Sequence, residues 1–223
     1  MPLRGAWLSL WSMKTVLLPV KDFRNAKQRL ASTLDTATRS DLARAMLSDV
    51  LDALSRATIP DRVVVFTSSD EVARMARSCG FDVVVESSVT GHSDAVNLMV
   101  AELSPAASQI LSIAGDLPNL RPEEIDFVMT TVSEPIAVLP SRDGTGTNGM
   151  LFIPPARITM EYGESSFRRH MSRASAAGIR AEVLNVPGIA FDVDTPEDLQ
   201  AFLDDPRRDS QTWRYLMSRK IKA

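Results

Sequence analysis

Three short stretches of this chain carry the charged groups from which phosphoryl chemistry is built. "SIAGDLP" sets Asp116 directly after an apolar run. "AFDVDTPEDL" spaces Asp192 and Asp194 two residues apart, which sends both carboxylates to one side of an extended segment. "PVKDFRNAKQRL" places Lys21, Lys27 and Arg29 immediately after the first apolar run. Carboxylate oxygens suit Mg²⁺, which takes one or two of them and leaves its other positions to water and substrate phosphates. Lysine brings a point charge to a phosphate and arginine a planar fork. Together these groups point to metal-assisted phosphoryl chemistry. Each has a plainer reading as well. Asp194 or Thr195 would cap a helix opening at Pro196, and the basic run would be a solvated surface.

A fourth stretch, "DGTGTNG", spells G-x-G-x-x-G through Gly144, Gly146 and Gly149. As a dinucleotide fingerprint it would need a helix directly after it, whose N-terminal amides hold the pyrophosphate. Gly149 leads instead into "MLFIPP", a strand-like run closed by two prolines, so a redox cofactor is not expected here. The glycines read as a turn between two strands. Thr145, Thr147 and Asn148 add more hydroxyl and amide groups than a turn requires, so a ligand-contacting loop and a plain hairpin turn both remain open.

The elements around these residues alternate. Apolar, β-branched runs at 15–20, 62–67, 82–86, 109–116, 135–140, 149–155 and 180–186 read as strands, several buried on both faces. Helical patterns at 38–57, 70–80, 93–103, 122–132, 165–178 and 196–205 lie between and after them. In the first helix Leu42, Met46, Val50 and Leu54 recur every four residues, and Thr38 with Asp41 suggests its capping box. Such alternation implies βαβ units and a largely parallel sheet covered on both faces. Ligands of open α/β sheets sit beyond the carboxyl ends of strands, where Asp116 falls.

Composition narrows the class. The 223 residues are 44% hydrophobic and carry a net charge of -3, which suits one α/β domain and gives no basic surface for nucleic acid. One cysteine, Cys79, excludes an intrachain disulfide and reads as a small apolar filler near a helix end. With only two histidines, a zinc site is not expected. No run approaches a membrane span, so a cytoplasmic protein is expected. Residues 1–12 read as an N-terminal extension, 13–205 as the domain, and 206–223 as a basic tail with a short amphipathic helix.

Taken in order, "PVKDFRNAKQRL", "AGDLP", "DGTGTN", "YGESSFRRH" and "FDVDTPEDL" resemble the CofC/FbiD guanylyltransferases of deazaflavin-coenzyme (F420) biosynthesis, over roughly 14–204. The resemblance implies a three-layer αβα, mostly parallel Rossmann-like sheet of the GT-A-like nucleotidyltransferase type. It implies transfer of GMP from GTP to phosphoenolpyruvate, 2-phospho-L-lactate or 3-phospho-D-glycerate, release of pyrophosphate, and delivery of the product to a downstream transferase. In this reading Lys21, Lys27 and Arg29 hold the triphosphate, with Asn97 near the nucleotide, and Lys27, Arg29 and Asp116 act in catalysis. Asp116, Asp192 and Asp194 hold Mg²⁺, and Thr147, Gly163 and Ser166 bind the acceptor acid. The chain departs from the family around Asn97 and at Glu164, which stands where the family often has proline. A related transferase with another nucleotide or acceptor, or a non-catalytic nucleotide-binding domain, stays open, as does a homodimer.

Overall fold

The computed structural model describes residues 13–85 and 91–221. The expected extension at 1–12 lies outside them, as does Glu86 at the end of the third expected strand. Seven strands form one sheet: β1 (Met13–Pro19), β2 (Arg62–Thr67), β3 (Asp82–Val85), β4 (Ala107–Ile113), β5 (Ile136–Pro140), β6 (Thr147–Phe152) and β7 (Ala181–Val183). Their order is β3-β2-β1-β4-β6-β5-β7. All neighbours are parallel except β6, which runs antiparallel to both β4 and β5. The sheet is therefore mostly parallel, with one reversed strand supplied by the glycine-rich hairpin.

Eight helices are described: α1 (Thr36–Arg56), α2 (Asp70–Ser78), α3 (His92–Leu103), α4 (Pro122–Thr131), α5 (Ser166–Ala176), α6 (Pro187–Ala190), α7 (Pro196–Asp204) and α8 (Gln211–Ser218). Alternate residues of each strand face opposite sides, which splits the core in two. Val16 and Leu18 of β1 join Leu42, Met46 and Val50 of α1, with contributions from α2, α4, α7 and α8. Leu17 of β1 joins Val96 and Met99 of α3 and Ala174 of α5 on the other face. This is the expected three-layer αβα arrangement. No described helix is long and apolar enough to cross a membrane.

Two local features differ from the sequence reading, and a third settles what it left open. Helix α1 is capped by Asp35, whose carboxylate accepts from Thr38 N at 2.8 Å, so it opens two residues before the expected Thr38. An aspartate followed by two threonines offers several caps, and the buried face of α1 selects among them. Cys79 is exposed at the end of α2, not packed. The C-terminal segment is tied to the domain: Thr212 and Leu216 of α8 are fully buried. Asp49, buried in α1, accepts from Gln211 N at 2.6 Å and from Thr212 N at 2.9 Å, capping α8 from a distant part of the chain. Arg207, just before α8, donates to Leu120 O at 2.6 Å, linking this segment to the loop after Asp116.

Candidate active site

The loop after β1 folds back through two short 3-10 turns. Asp22 caps the first, accepting from Arg24 N at 2.7 Å. Lys27 precedes the second in a left-handed conformation, φ 53°. A non-glycine residue there costs on the order of 1 kcal/mol and persists only where surroundings impose it. The turn inserts Leu30 into the core and turns the Lys27 side chain inward until it is only 5% exposed. Its ammonium donates to Asp194 Oδ1 at 2.6 Å and closely to Asp116 Oδ2. Burial opposes the charge, yet Asp116 and Asp194 together hold the amine charged well above the usual lysine range.

Asp116 lies three residues beyond β4, and Asp194 in the extended segment before α7. The helix cap there is Thr195: its hydroxyl accepts from Asp198 N at 3.2 Å, and Asp198 Oδ2 accepts from Thr195 N at 2.9 Å. Asp194 is thereby left free of capping and available to Lys27. Asp192 is held differently. Asn148 Nδ2 donates to Asp192 Oδ1 at 2.9 Å and to the Ile189 carbonyl at 3.0 Å, pinning α6 and the acid beyond it. Burial first, then the neighbouring charge of Asp116, pushes Asp192 up to about 6. Asp192 is thus a carboxylate short of positive charge beside a second carboxylate.

A cavity of about 620 Å³ opens beside these acids. Arg29, Thr147, Gly163, Ser166, Asp192 and Asp194 are among its lining residues. The ion pair to Lys27 connects that wall to Asp116. One rim is the β5–β6 hairpin. Asp143 accepts from Ser141 Oγ at 2.6 Å and from Thr145 N at 3.0 Å, bonds that hold its carboxyl down at about 2. Gly144 supplies the left-handed residue of this turn at φ 72°. Strand β6 begins at Thr147, two residues earlier than expected, so Thr147 and Asn148 sit on a rigid strand and not in the loop. The opposite rim is the start of α5. Gly163 turns the chain at φ 112°, Ser165 adopts the left-handed region, and Ser166 is buried at the first helical position. Phe167 N donates to Thr145 O at 3.2 Å, joining the two rims.

Of the ten residues expected at the site, eight are brought together here. Lys21 is exposed two residues beyond β1 and does not line the cavity. Asn97 does not line it either: its amide donates to Met160 O at 2.9 Å and accepts from Met160 N at 2.7 Å, clamping the segment before Gly163. The sequence reading missed Asn148 as the anchor of Asp192, and Arg142. Arg142 lines the cavity, stacks over Phe191 at 4.9 Å and donates to Asp198 at 2.9 Å. The surplus of donors in "DGTGTNG" was the signal for Asn148; Arg142 carries no motif.

Among the described residues no group of three or more His, Cys, Asp or Glu side chains is arranged to hold a metal. Two carboxylates with an open cavity beside them nevertheless match Mg²⁺, which takes few protein ligands. The charge deficit at Asp192 is what such a cation would relieve. Lys27 engages one oxygen of Asp116 and one of Asp194, and makes no hydrogen bond to Asp192.

Comparison with known proteins gives consistent results. The model of the family "Guanylyl transferase CofC like" matches residues 13–222. A phosphoenolpyruvate guanylyltransferase of Conexibacter woesei is 39% identical over 191 residues, covering 83% of this chain and 85% of that protein. A 2-phospho-L-lactate guanylyltransferase of Methanothermobacter thermautotrophicus is 30% identical over 188 residues, covering 84% and 83%. Among solved structures, a chain from Desulfovibrio desulfuricans G20 assigned to the nucleotide-diphospho-sugar transferases superposes with a TM-score of 0.70. It is 15% identical and covers 94% of this chain and 96% of its own, which speaks to the fold alone.

Proposed function

The chain belongs to the CofC-like guanylyltransferase family, and from that premise we infer that it transfers GMP from GTP to a small phosphorylated three-carbon acid, releasing pyrophosphate, with Mg²⁺ held by Asp116 and Asp192. The observation that carries this reading is the Lys27–Asp116–Asp194 cluster beside Asp192 at the wall of the cavity. Its relatives are named for different acceptors, and phosphoenolpyruvate, 2-phospho-L-lactate and 3-phospho-D-glycerate all fit the chemistry. The product belongs to assembly of the deazaflavin coenzyme F420 and would pass to a downstream transferase.

The reaction needs no side-chain nucleophile. The acceptor phosphate is anionic at neutral pH and attacks the α-phosphorus of GTP, a new P–O bond forming as the bond to pyrophosphate breaks. Catalysis is then positioning plus charge neutralisation. Mg²⁺, when bound, supplies neutralising charge on phosphate oxygens and orients the leaving group. Lys27 keeps Asp116 and Asp194 fixed and keeps the cluster from repelling an incoming polyphosphate. Arg29, exposed at the cavity wall, offers a fork to phosphate oxygens. Thr147, Gly163 and Ser166 gather hydroxyl and amide donors on the acceptor side.

The test is a pyrophosphate-release assay with Mg²⁺, crossing GTP, ATP, CTP and UTP with the three acids. Turnover with GTP and one acid supports the reading. Turnover with CTP alone would make the chain a cytidylyltransferase on this scaffold, and none with any pair would favour a nucleotide-binding domain without catalysis.

A further inference from the structure

His170 is fully buried in α5, is not needed as a base, and yet touches the acceptor side of the cavity through Thr147. Its ring makes two hydrogen bonds. Glu161 N lies 2.9 Å from Nε2, and Thr147 Oγ1 lies 3.0 Å from Nδ1. A backbone N–H can only donate, so Nε2 must accept and carries no proton. The proton of the neutral ring therefore sits on Nδ1, and Nδ1–H donates to Thr147 Oγ1. A protonated ring, or the other tautomer, would set an N–H against the Glu161 N–H. Burial first, then Arg169 and Arg173 on the same helix, hold His170 down at about 4, with Glu161 opposing. The edge of the ring meets Tyr162 at 5.7 Å and 78°, which fixes its plane.

One consequence reaches the cavity. Thr147 Oγ1 has one proton to give and receives one from His170. With an N–H donated to it, the hydroxyl must aim its own proton elsewhere, and Thr147 lines the cavity. We propose that His170 is a positioning residue that occupies a lone pair of Thr147 Oγ1 and so turns the hydroxyl proton toward the anionic acceptor. A donor there favours an acid group, phosphate or carboxylate. The chain of bonds begins at a main-chain amide, so it is set before any ligand arrives. The inference rests on the acceptor side assigned above.

Two experiments test it. Nitrogen-15 NMR of the wild-type protein at pH 7 should show a neutral His170 with a protonated Nδ1 and an unprotonated Nε2. A ring protonated at Nε2, or doubly protonated, overturns the proposal without any variant being made. Steady-state kinetics with the acid that supports turnover then read the consequence. Thr147→Val should raise the acceptor KM about tenfold, the scale of one hydrogen bond to a charged group. His170→Phe should raise it about three- to tenfold and leave the KM for GTP unchanged. In the double variant His170→Phe should add nothing, because its effect passes through the Thr147 hydroxyl. Additive effects would mean that His170 only packs the helix, and overturn the proposal. An unchanged acceptor KM in Thr147→Val alone would overturn the acceptor-side assignment itself, and this inference with it.

Discussion

Lys27 and Asp194 lie 167 positions apart in sequence, yet the lysine ammonium donates to the aspartate Oδ1 at 2.6 Å, with the lysine side chain only 5% exposed. The contact joins the loop after the first strand to the segment before α7, the two ends of the domain that must meet to build the site. It also assigns Lys27 a task other than waiting in solvent for a phosphate.

Lys27→Met should therefore have two effects. Removing one partner of a buried ion pair is destabilising, and with carboxylates that are still partly exposed the loss should be about 1–3 kcal/mol. Turnover should fall by ~10²-fold or more, the scale of one preorganised charge-stabilising group. Mg²⁺ should raise the melting temperature of the variant more than that of the wild type, because the cation meets a more negative site. Equal Mg²⁺ responses in thermal unfolding would show that Lys27 and the metal do not share one field.

Asp192→Asn should separate stability from function. The buried carboxylate is costly when charged, as its rise to about 6 shows. An amide of the same shape keeps the bond from Asn148, so unfolding in urea should become harder by about 1–2 kcal/mol. Mg²⁺-dependent turnover should fall by ~10²-fold or more. A variant less stable than the wild type would mean that Asp192 serves mainly to hold the fold.

His170 should leave a signature in the pH dependence of stability. Its value in the folded protein, about 4, lies below its ordinary 6.5. Between these values the unfolded chain takes up the proton and the folded protein does not. The stabilisation is complete above about pH 6.5 and is lost as pH falls toward 4, by no more than about 3 kcal/mol in total. Wild type minus His170→Phe, compared in urea unfolding from pH 7.5 to 4, should therefore shrink as pH falls. A constant difference across that window would show that the ring is not held neutral.

Asp49→Ala should loosen the C-terminal helix. Asp49 is 1% exposed and accepts from Gln211 N, Thr212 N and, at 2.6 Å, the Thr212 hydroxyl. Leaving these donors unpaired in a buried place should cost about 2–3 kcal/mol. Hydrogen exchange should show the first amides of α8 opening earlier than those of α1. Uniform exchange across both helices would mean that α8 is held by its apolar face alone.

Local order was plain in the sequence; long-range order was not. The strands were legible because apolar, β-branched runs such as "TVLLPV" have little alternative to a doubly covered sheet. The hairpin at "DGTGTNG" was legible from the prolines after it, which exclude a helix. Asp116 and Asp192 stood out because they end extended segments. Lys27 was singled out as a cation facing phosphate, but its burial depends on Asp116 and Asp194, which no local pattern connects to it. Asn97 was expected near the nucleotide through the family resemblance alone, in a region where this chain departs from the family; its amide is instead spent on Met160, 63 positions away. The tail at 206–223 read as a short amphipathic helix, but where it packs was not legible, since Asp49, which accepts from the first amides of α8, belongs to α1.

In the proposed reaction Asp116 and Asp192 hold a divalent cation beside Lys27 for guanylyl transfer to a phosphorylated acid. Its most direct test is pyrophosphate release from GTP with each of the three acids, in wild type and Asp116→Asn, across a Mg²⁺ titration. The wild type should show turnover that vanishes with chelator, and the variant should be slower by ~10²-fold or more and need more Mg²⁺. Undiminished, Mg²⁺-dependent turnover in Asp116→Asn would contradict this assignment.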